Sequence, residues 1–132
     1  RTITRKLKEA ALALKLERQL SKQQILEQYL NYVYLGSGAY GVSDAAWIYF
    51  SKTTDQLTVA EAALIAGLPP APSIYSPLVN PDLARKQRAL VLDRMAQSGA
   101  ISRVEAERAS ASPLALKPAT PKYLIKGNVR YI

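Results

Sequence analysis

The stretch ILEQYLNYVYLGSGAYGVSDAAWIYFSK, residues 25–52, decides how this chain folds. A capping box at Ser21–Gln24 precedes it, and residues 25–34 place Ile, Leu, Tyr and Val at helical spacing. Glycines at positions 36, 38 and 41 then allow backbone conformations that other residues rarely adopt. Helical spacing returns over Ser43–Phe50. This order predicts a helix, a sharp glycine turn and a second, shorter helix.

Further helices are predicted on both sides of that stretch. Apolar residues recur at helical spacing, and Ser, Thr or Asn stands at each downstream helix start. Gly67 and Gly99 are placed to end two of these helices, Gly99 in a left-handed conformation. The predicted helices cover Thr4–Leu20, residues 21–34, Ser43–Phe50, residues 58–66, Pro81–Ser98 and residues 102–110. The chain is therefore predicted to belong to the all-α class.

Prolines punctuate two other segments. Those at positions 69, 70 and 72 predict an extended loop that runs through Ser76. From Ala111 onward, prolines at positions 113, 118 and 121 break any helical period. We therefore divide the chain into a helical domain, residues 1–110, and an exit linker, residues 111–132, with an extended stretch at Tyr123–Ile125.

Composition narrows the chemistry that the chain can perform. The chain has no Cys and no His, so disulfides, a Ser–His–Asp triad and a His-based metal site are excluded within it. The chain contains no run of about 18 apolar residues, so no membrane span is predicted within it. The net charge of +8 favours an anionic partner, and the candidates are a nucleic acid, an anionic membrane surface and a phosphate-bearing substrate. A basic surface that merely keeps the protein soluble is the alternative.

The glycine turn imitates a nucleotide-binding motif. GSGAYG at residues 36–41 matches the dinucleotide fingerprint G-x-G-x-x-G. That fingerprint follows a β-strand and opens a βαβ unit, whereas this turn follows a capped segment of helical period. We therefore interpret the glycines as a backbone turn and not as a nucleotide site.

A cationic cluster opens the chain, because Arg1, Arg5, Lys6 and Lys8 precede the first acid, Glu9. On a helix Arg5 and Glu9 are neighbours one turn apart, and an arginine fork can bind two phosphate oxygens. The cations should lower the pKa of Glu9, which makes it a poor general base. One interpretation is a phosphate site, and the other is a solvated basic face with a weak Arg5–Glu9 surface pair.

Three motifs together resemble one known family. They are R-x-x-x-R-K-x-x-E at Arg1–Glu9, Y-L-N-x-x-Y-x-G-x-x-x-x-G-V at residues 29–42 and E-x-A-x-x-A-G-L-P-x-x-P-x-x-Y-x-P at Glu61–Pro77. The chain resembles the peptidoglycan glycosyltransferases of glycosyltransferase family 51, found in class A penicillin-binding proteins and monofunctional transglycosylases. It departs from the family pattern at Ser51, where glycine is usual, and at Gln87, where arginine is common.

The resemblance implies a fold and a reaction. The fold would be the larger, C-terminal part of a lysozyme-like helical domain. The enzyme would be an inverting glycosyltransferase that polymerises lipid II into glycan strands and releases undecaprenyl pyrophosphate. It would work on the outer face of the cytoplasmic membrane, held by an anchor outside this chain. The implied partners are lipid II, the growing glycan, the membrane surface, moenomycin-type inhibitors and a fused transpeptidase domain, with no nucleic acid.

The resemblance also assigns roles to residues. Arg1, Arg5 and Lys6 would bind the substrate pyrophosphate, and Glu9 would be a supporting carboxylate. The family's principal general base is a glutamate in a motif that would precede Arg1, so we expect this chain alone to be inactive. No cofactor is required by the assignment, although a divalent cation, Mg²⁺ or Mn²⁺, would fit beside the pyrophosphate.

Two sets of alternatives stay open at this point. Asn31 and Tyr34 are interpreted either as a buried, satisfied polar pair or as residues that line the sugar cleft, and Glu61 as a helix cap more readily than as a catalytic group. For the whole chain, the alternatives are a basic helical nucleic-acid-binding domain and a catalytically silent remnant that acts as an interaction module.

Overall fold

The computed structural model of the chain describes residues 22–122, and this part is helical. Its α-helices are α1 (Lys22–Tyr32), α2 (Val42–Phe50), α3 (Val59–Ala66), α4 (Pro72–Tyr75), α5 (Pro81–Gln97) and α6 (Arg103–Ala111). Within residues 22–122 the extended pairing consists of one isolated antiparallel bridge, Tyr34 to Tyr40. None of the helices described is long and apolar enough to cross a bilayer. The predicted all-α class is confirmed for this range.

The glycine turn lies between α1 and α2, as predicted. Gly36, Gly38 and Gly41 have φ of 83°, 84° and 90°, a region that is costly for residues with a side chain. A Cβ on Gly36 would lie 2.5 Å from the carbonyl oxygen of Pro72, and one on Gly41 would overlap the backbone of Asn31. Glycine is therefore required here both by conformation and by close backbone contact.

The core is built around α2. Ala45, Ile48, Tyr49 and Phe50 are at most 2% exposed, because they pack between the glycine turn and α3. The remaining members of this cluster are Leu35, Ala39, Leu64, Ile65, Leu68, Ala84 and Leu114. A second, smaller cluster joins α3, α5 and α6 through Ala63, Leu92, Ala106 and Ala109.

Several predicted helix ends are confirmed. The Thr58 hydroxyl accepts from the Glu61 amide and the Glu61 carboxylate accepts from the Thr58 amide, so the capping box that begins α3 is complete. Ser102 caps α6 by accepting from the Glu105 amide, and Gly99 follows α5 in a left-handed conformation. These caps depend on residues three or four positions apart, which is why the sequence alone predicts them.

Other local predictions need correction. The proline segment is not extended throughout, because Pro72 occupies the first position of the one-turn helix α4. Asn80 precedes Pro81 at the start of α5, but its side chain donates to the Ile74 carbonyl and does not cap the helix. Helix α1 ends at Tyr32, two residues earlier than predicted, because Tyr34 pairs with Tyr40.

The predicted apolar stripe of α1 is only partly buried by the residues described. Leu26 and Tyr29 are 55% and 54% exposed, while Val33 packs against the main core. The predicted helix Thr4–Leu20, the Ser21 cap and the stretch at Tyr123–Ile125 lie outside the described residues.

Residues 113–122, called the strap below, pack on the helices instead of leaving them. The Lys117 and Ala119 amides donate to the Tyr49 and Ile48 carbonyls, each at 2.9 Å, and Leu114 is buried. These carbonyls belong to the last turn of α2, where no helical donor is available. The segment is irregular, as predicted, and the domain boundary at residue 110 stays a prediction.

Arg88 of α5 is the largest fully buried side chain described, at 2% exposed. Its guanidinium donates to the Ser112 carbonyl at 2.7 Å, to the Ser110 carbonyl at 3.1 Å and to the Pro113 carbonyl at 3.5 Å. Burial, together with the charge of nearby Arg85, lowers the pKa of this group, yet an arginine stays protonated. Arg88 therefore ties α5 to the end of α6 and the start of the strap.

We predict that Arg88→Met lowers the free energy of unfolding by about 2 kcal/mol, because buried carbonyls lose their donors. The loss stays moderate because the Arg88 Nε has no partner among the described residues and its burial is itself costly. Arg85→Met, which breaks an exposed ion pair with Asp82, should cost under about 0.5 kcal/mol. Urea unfolding measures both, and equal stabilities of the two variants would contradict the role given to Arg88.

Candidate functional site

The predicted phosphate-binding residues, Arg1, Arg5 and Lys6, and the supporting carboxylate Glu9 lie outside the described residues. Their assignment stays a prediction. The two other predicted site residues, Asn31 and Tyr34, are described by the structure.

Asn31 and Tyr34 do not form a buried polar pair. Asn31 is exposed at the end of α1, and Tyr34 is 36% exposed at the start of the glycine turn. The Tyr34 ring packs against that of Tyr40, with centroids 4.8 Å apart and planes tilted by 46°. The Tyr34 hydroxyl accepts from the Gly38 amide at 3.3 Å. Asn31, Tyr34 and Tyr40 therefore form an exposed group, which we call the turn surface.

Tyr40 was not anticipated from the sequence. It stands at a variable position of the glycine motif, so only the bridge with Tyr34 shows that the two rings meet. Its backbone amide donates to the Asp44 carboxylate at 3.0 Å, which ties Tyr40 to the first turn of α2. A pair of exposed aromatic rings with an amide nearby can stack on a sugar ring and hydrogen-bond its polar groups.

Beneath the turn surface lies a buried network of hydroxyl groups. The Tyr49 hydroxyl donates to the Leu35 carbonyl at 2.8 Å and lies 3.3 Å from the Ser76 hydroxyl. Ser37 and Ser76 share a hydrogen bond of 2.7 Å. Burial raises the pKa of Tyr49, partly offset by its hydrogen bonds with Ser37 and Ser76, so the phenol stays protonated and can donate. The network joins α2, the glycine turn and the residue after α4.

Glu61 is held in a structural arrangement, in agreement with the capping interpretation. Besides the capping box, its carboxylate oxygens accept from the Lys52 ammonium at 2.8 and 3.0 Å. The side chains are 8% exposed for Glu61 and 32% for Lys52. The sequence did not predict this ion pair, because Lys52 lies in the loop after α2 and Glu61 in the first turn of α3, and the two meet only after folding.

Two other site classes find no support among residues 22–122. No group of three or more acidic, His or Cys side chains in this range could hold a metal ion. The glycine motif joins two helices and follows no strand in this range, so the interpretation as a backbone turn is confirmed.

Comparisons with known proteins agree with these features. A family model described as "Transglycosylase" matches residues 1–96. Penicillin-binding protein 1A of Aquifex aeolicus is 50% identical over 117 residues, which are 89% of this chain and 16% of that protein. A Cupriavidus necator protein that carries a provisional name as a transglycosylase is also 50% identical over 117 residues, and 51% of its length is covered.

A solved structure shows the same fold. The crystal structure of penicillin-binding protein 1A from Haemophilus influenzae matches with a TM-score of 0.73 and 39% identity, over 85% of this chain and 17% of that chain. The chain thus spans about half the length of one relative and a smaller part of the others. The helical fold that the sequence motifs implied is confirmed by this likeness.

We predict that Glu61 acts through both the cap and the ion pair. Glu61→Gln keeps a residue that suits the capping box but removes the charge, so it should cost about 0.5 kcal/mol, discounted because Lys52 is partly exposed. Glu61→Ala removes both interactions and should cost about 2 kcal/mol. Glu107→Gln, at an exposed position of α6, is the control for the charge change. Equal losses for the Gln and Ala variants in urea unfolding would contradict this division.

Proposed function

This chain belongs to the transglycosylase family, and we propose that it forms part of a peptidoglycan glycosyltransferase that polymerises lipid II into glycan strands. In that reaction the 4-hydroxyl of the acceptor sugar attacks the anomeric carbon of the growing glycan. The carbon–oxygen bond to the lipid pyrophosphate breaks with inversion, and undecaprenyl pyrophosphate leaves.

One observation carries the proposal: the cationic motif Arg1–Glu9 falls within the family match over residues 1–96. Departure of the pyrophosphate concentrates negative charge on its oxygens. Arg1, Arg5 and Lys6 would stabilise that charge, an effect that is large where donors are held in place and water is scarce. The +8 net charge of the chain suits an anionic substrate of this kind.

Glu9 would support this phosphate site without acting as the general base. Three cations that are close to it in the sequence would favour its ionised form, and a carboxylate whose pKa is lowered is a weak acceptor for a hydroxyl proton. The base would be a glutamate of the family motif expected before Arg1. A divalent cation, Mg²⁺ or Mn²⁺, if bound beside Glu9, would add positive charge at the pyrophosphate.

The turn surface would contact the glycan. Tyr34 and Tyr40 offer aromatic rings for a sugar face, and the exposed amide of Asn31 suits hydroxyl or acetamido groups. No nucleotide sugar is needed, which agrees with the absence of a strand before the glycine motif within residues 22–122.

The proposed location is the outer face of the cytoplasmic membrane, where a lipid-linked substrate of this class is used. Moenomycin-type inhibitors, which carry a phosphate and sugars, would compete for the same groups. A transpeptidase domain after the strap would agree with the name of the penicillin-binding relatives. The nucleic-acid alternative is not favoured, because it accounts for the charge but not for the family match.

We predict that Lys6→Ala lowers lipid II polymerisation at least about a hundredfold, because one fixed donor to the leaving group is lost. The test uses the complete enzyme, meaning this chain together with the family motifs expected before Arg1. Lys8→Ala is the matched control, since on the predicted helix Thr4–Leu20 two positions would turn its side chain by about 200° from that of Lys6. Similar losses in the two variants, or normal turnover in Lys6→Ala, would contradict the assignment.

A second prediction separates a supporting carboxylate from a general base. In the complete enzyme, Glu9→Gln should lower activity about tenfold, the size of one lost charged hydrogen bond, and should weaken moenomycin binding. The pH–rate profile should keep its acidic limb, which we assign to the upstream glutamate. Loss of that limb with unchanged moenomycin binding would show that Glu9 is the base.

A further inference from the structure

Tyr49 forms hydrogen bonds with three separate segments of the chain. Its hydroxyl donates to the Leu35 carbonyl in the glycine turn and lies 3.3 Å from the Ser76 hydroxyl after α4. Its own carbonyl accepts from the Lys117 amide of the strap at 2.9 Å. Because the side chain is 0% exposed and closely packed, it has little room to move without its neighbours.

The strap contacts the end of α2 through several interactions. Besides the two backbone bonds to Ile48 and Tyr49, the Trp47 indole nitrogen donates to the Thr120 carbonyl at 2.8 Å. The Lys122 ammonium lies 4.7 Å from the centre of the Trp47 ring, within the range of a cation–π interaction. These contacts fix the last turn of α2, which carries Tyr49.

The other side of Tyr49 determines the turn surface. Leu35, whose carbonyl the Tyr49 hydroxyl holds, is adjacent to Tyr34 and donates its amide to the Ala39 carbonyl at 2.8 Å. Tyr40 follows Ala39 and forms the bridge back to Tyr34. A displacement of the Tyr49 hydroxyl would therefore move both chain segments that carry the exposed rings.

We propose that Tyr49 is a positioning residue for the turn surface, and that docking of the strap on α2 sets its position. The strap, Tyr49 and the glycine turn form one continuous set of hydrogen bonds. Release of the strap would loosen the last turn of α2, and the turn surface would bind the glycan less well. This inference rests on the proposed function, because it takes the glycan as the ligand of that surface.

A purely structural role for Tyr49 makes a different kinetic prediction. Partial unfolding would lower the fraction of active enzyme, which lowers kcat and leaves KM unchanged. Misplacement of a surface that only binds substrate would raise KM and leave kcat nearly unchanged. The two possibilities are therefore separated by steady-state kinetics.

The experiment compares Tyr49→Phe with Tyr75→Phe in lipid II polymerisation by the complete enzyme. Tyr75 is the control because it is a half-buried tyrosine whose hydroxyl makes no hydrogen bond within residues 22–122. Tyr49→Phe should raise KM about fivefold, the factor of one neutral hydrogen bond, with kcat within about twofold of wild type. Tyr75→Phe should leave both constants unchanged.

The contribution of the strap is tested by Trp47→Phe, which removes the donor to Thr120 and weakens the contact with Lys122. Trp47→Phe should raise KM about threefold. The double variant Trp47→Phe/Tyr49→Phe should have the KM of Tyr49→Phe alone, because the two changes act on one chain of contacts. An unchanged KM in Tyr49→Phe overturns the inference, and independent, multiplying effects overturn the role of the strap. An inactive wild-type enzyme would instead overturn the proposed function, and this inference with it.

Discussion

The close approach of backbone to backbone at the glycine turn is the constraint on which the rest of the structure depends. Gly41 lies against the backbone of Asn31 and donates its amide to the Val33 carbonyl at 2.7 Å, which fixes the end of α1 against the start of α2. Gly36 lies against the Pro72 carbonyl, which brings α4 to the same place. The consecutive helices α1 and α2 and the later helix α4 can meet here only because no side chain separates them.

The proposed functional features follow from that meeting point. With α2 fixed, Tyr49 lies beneath the turn and its hydroxyl reaches both Leu35 and Ser76. The glycine turn also leaves Tyr34 and Tyr40 exposed to solvent. The residues with the predicted phosphate chemistry, Arg1–Glu9, lie outside the described residues. Within the described part, the proposed contribution is a surface for glycan binding and the frame that holds it.

The sequence predicted local features well and tertiary ones poorly. The Thr58–Glu61 cap and the left-handed Gly99 were predictable because each depends on a few adjacent residues. The Lys52–Glu61 ion pair and the strap were not, because they depend on contacts between segments that the pattern does not pair. Arg88 is the clearest case, since nothing in the sequence of α5 shows that this arginine is buried and donates to carbonyls at the end of α6 and just after it. For the candidate site, the family resemblance gave Asn31 and Tyr34, but the partner ring of Tyr40 appeared only in the structure.

The most direct test of this account compares the stability of Gly41→Ala with that of Gly99→Ala. Both glycines have positive φ, 90° and 83°, and Gly41 also has ψ of 163°, a region that essentially only glycine adopts, so the conformational cost of Gly41→Ala is at least as large as that of Gly99→Ala. A Cβ at Gly99 would meet no heavy atom within 4 Å, whereas one at Gly41 would overlap the Asn31 backbone. Urea unfolding should therefore show a further loss of at least about 2 kcal/mol in Gly41→Ala, or no folded protein at all. Equal stability of the two variants would show that the fold does not depend on close backbone contact at the glycine turn.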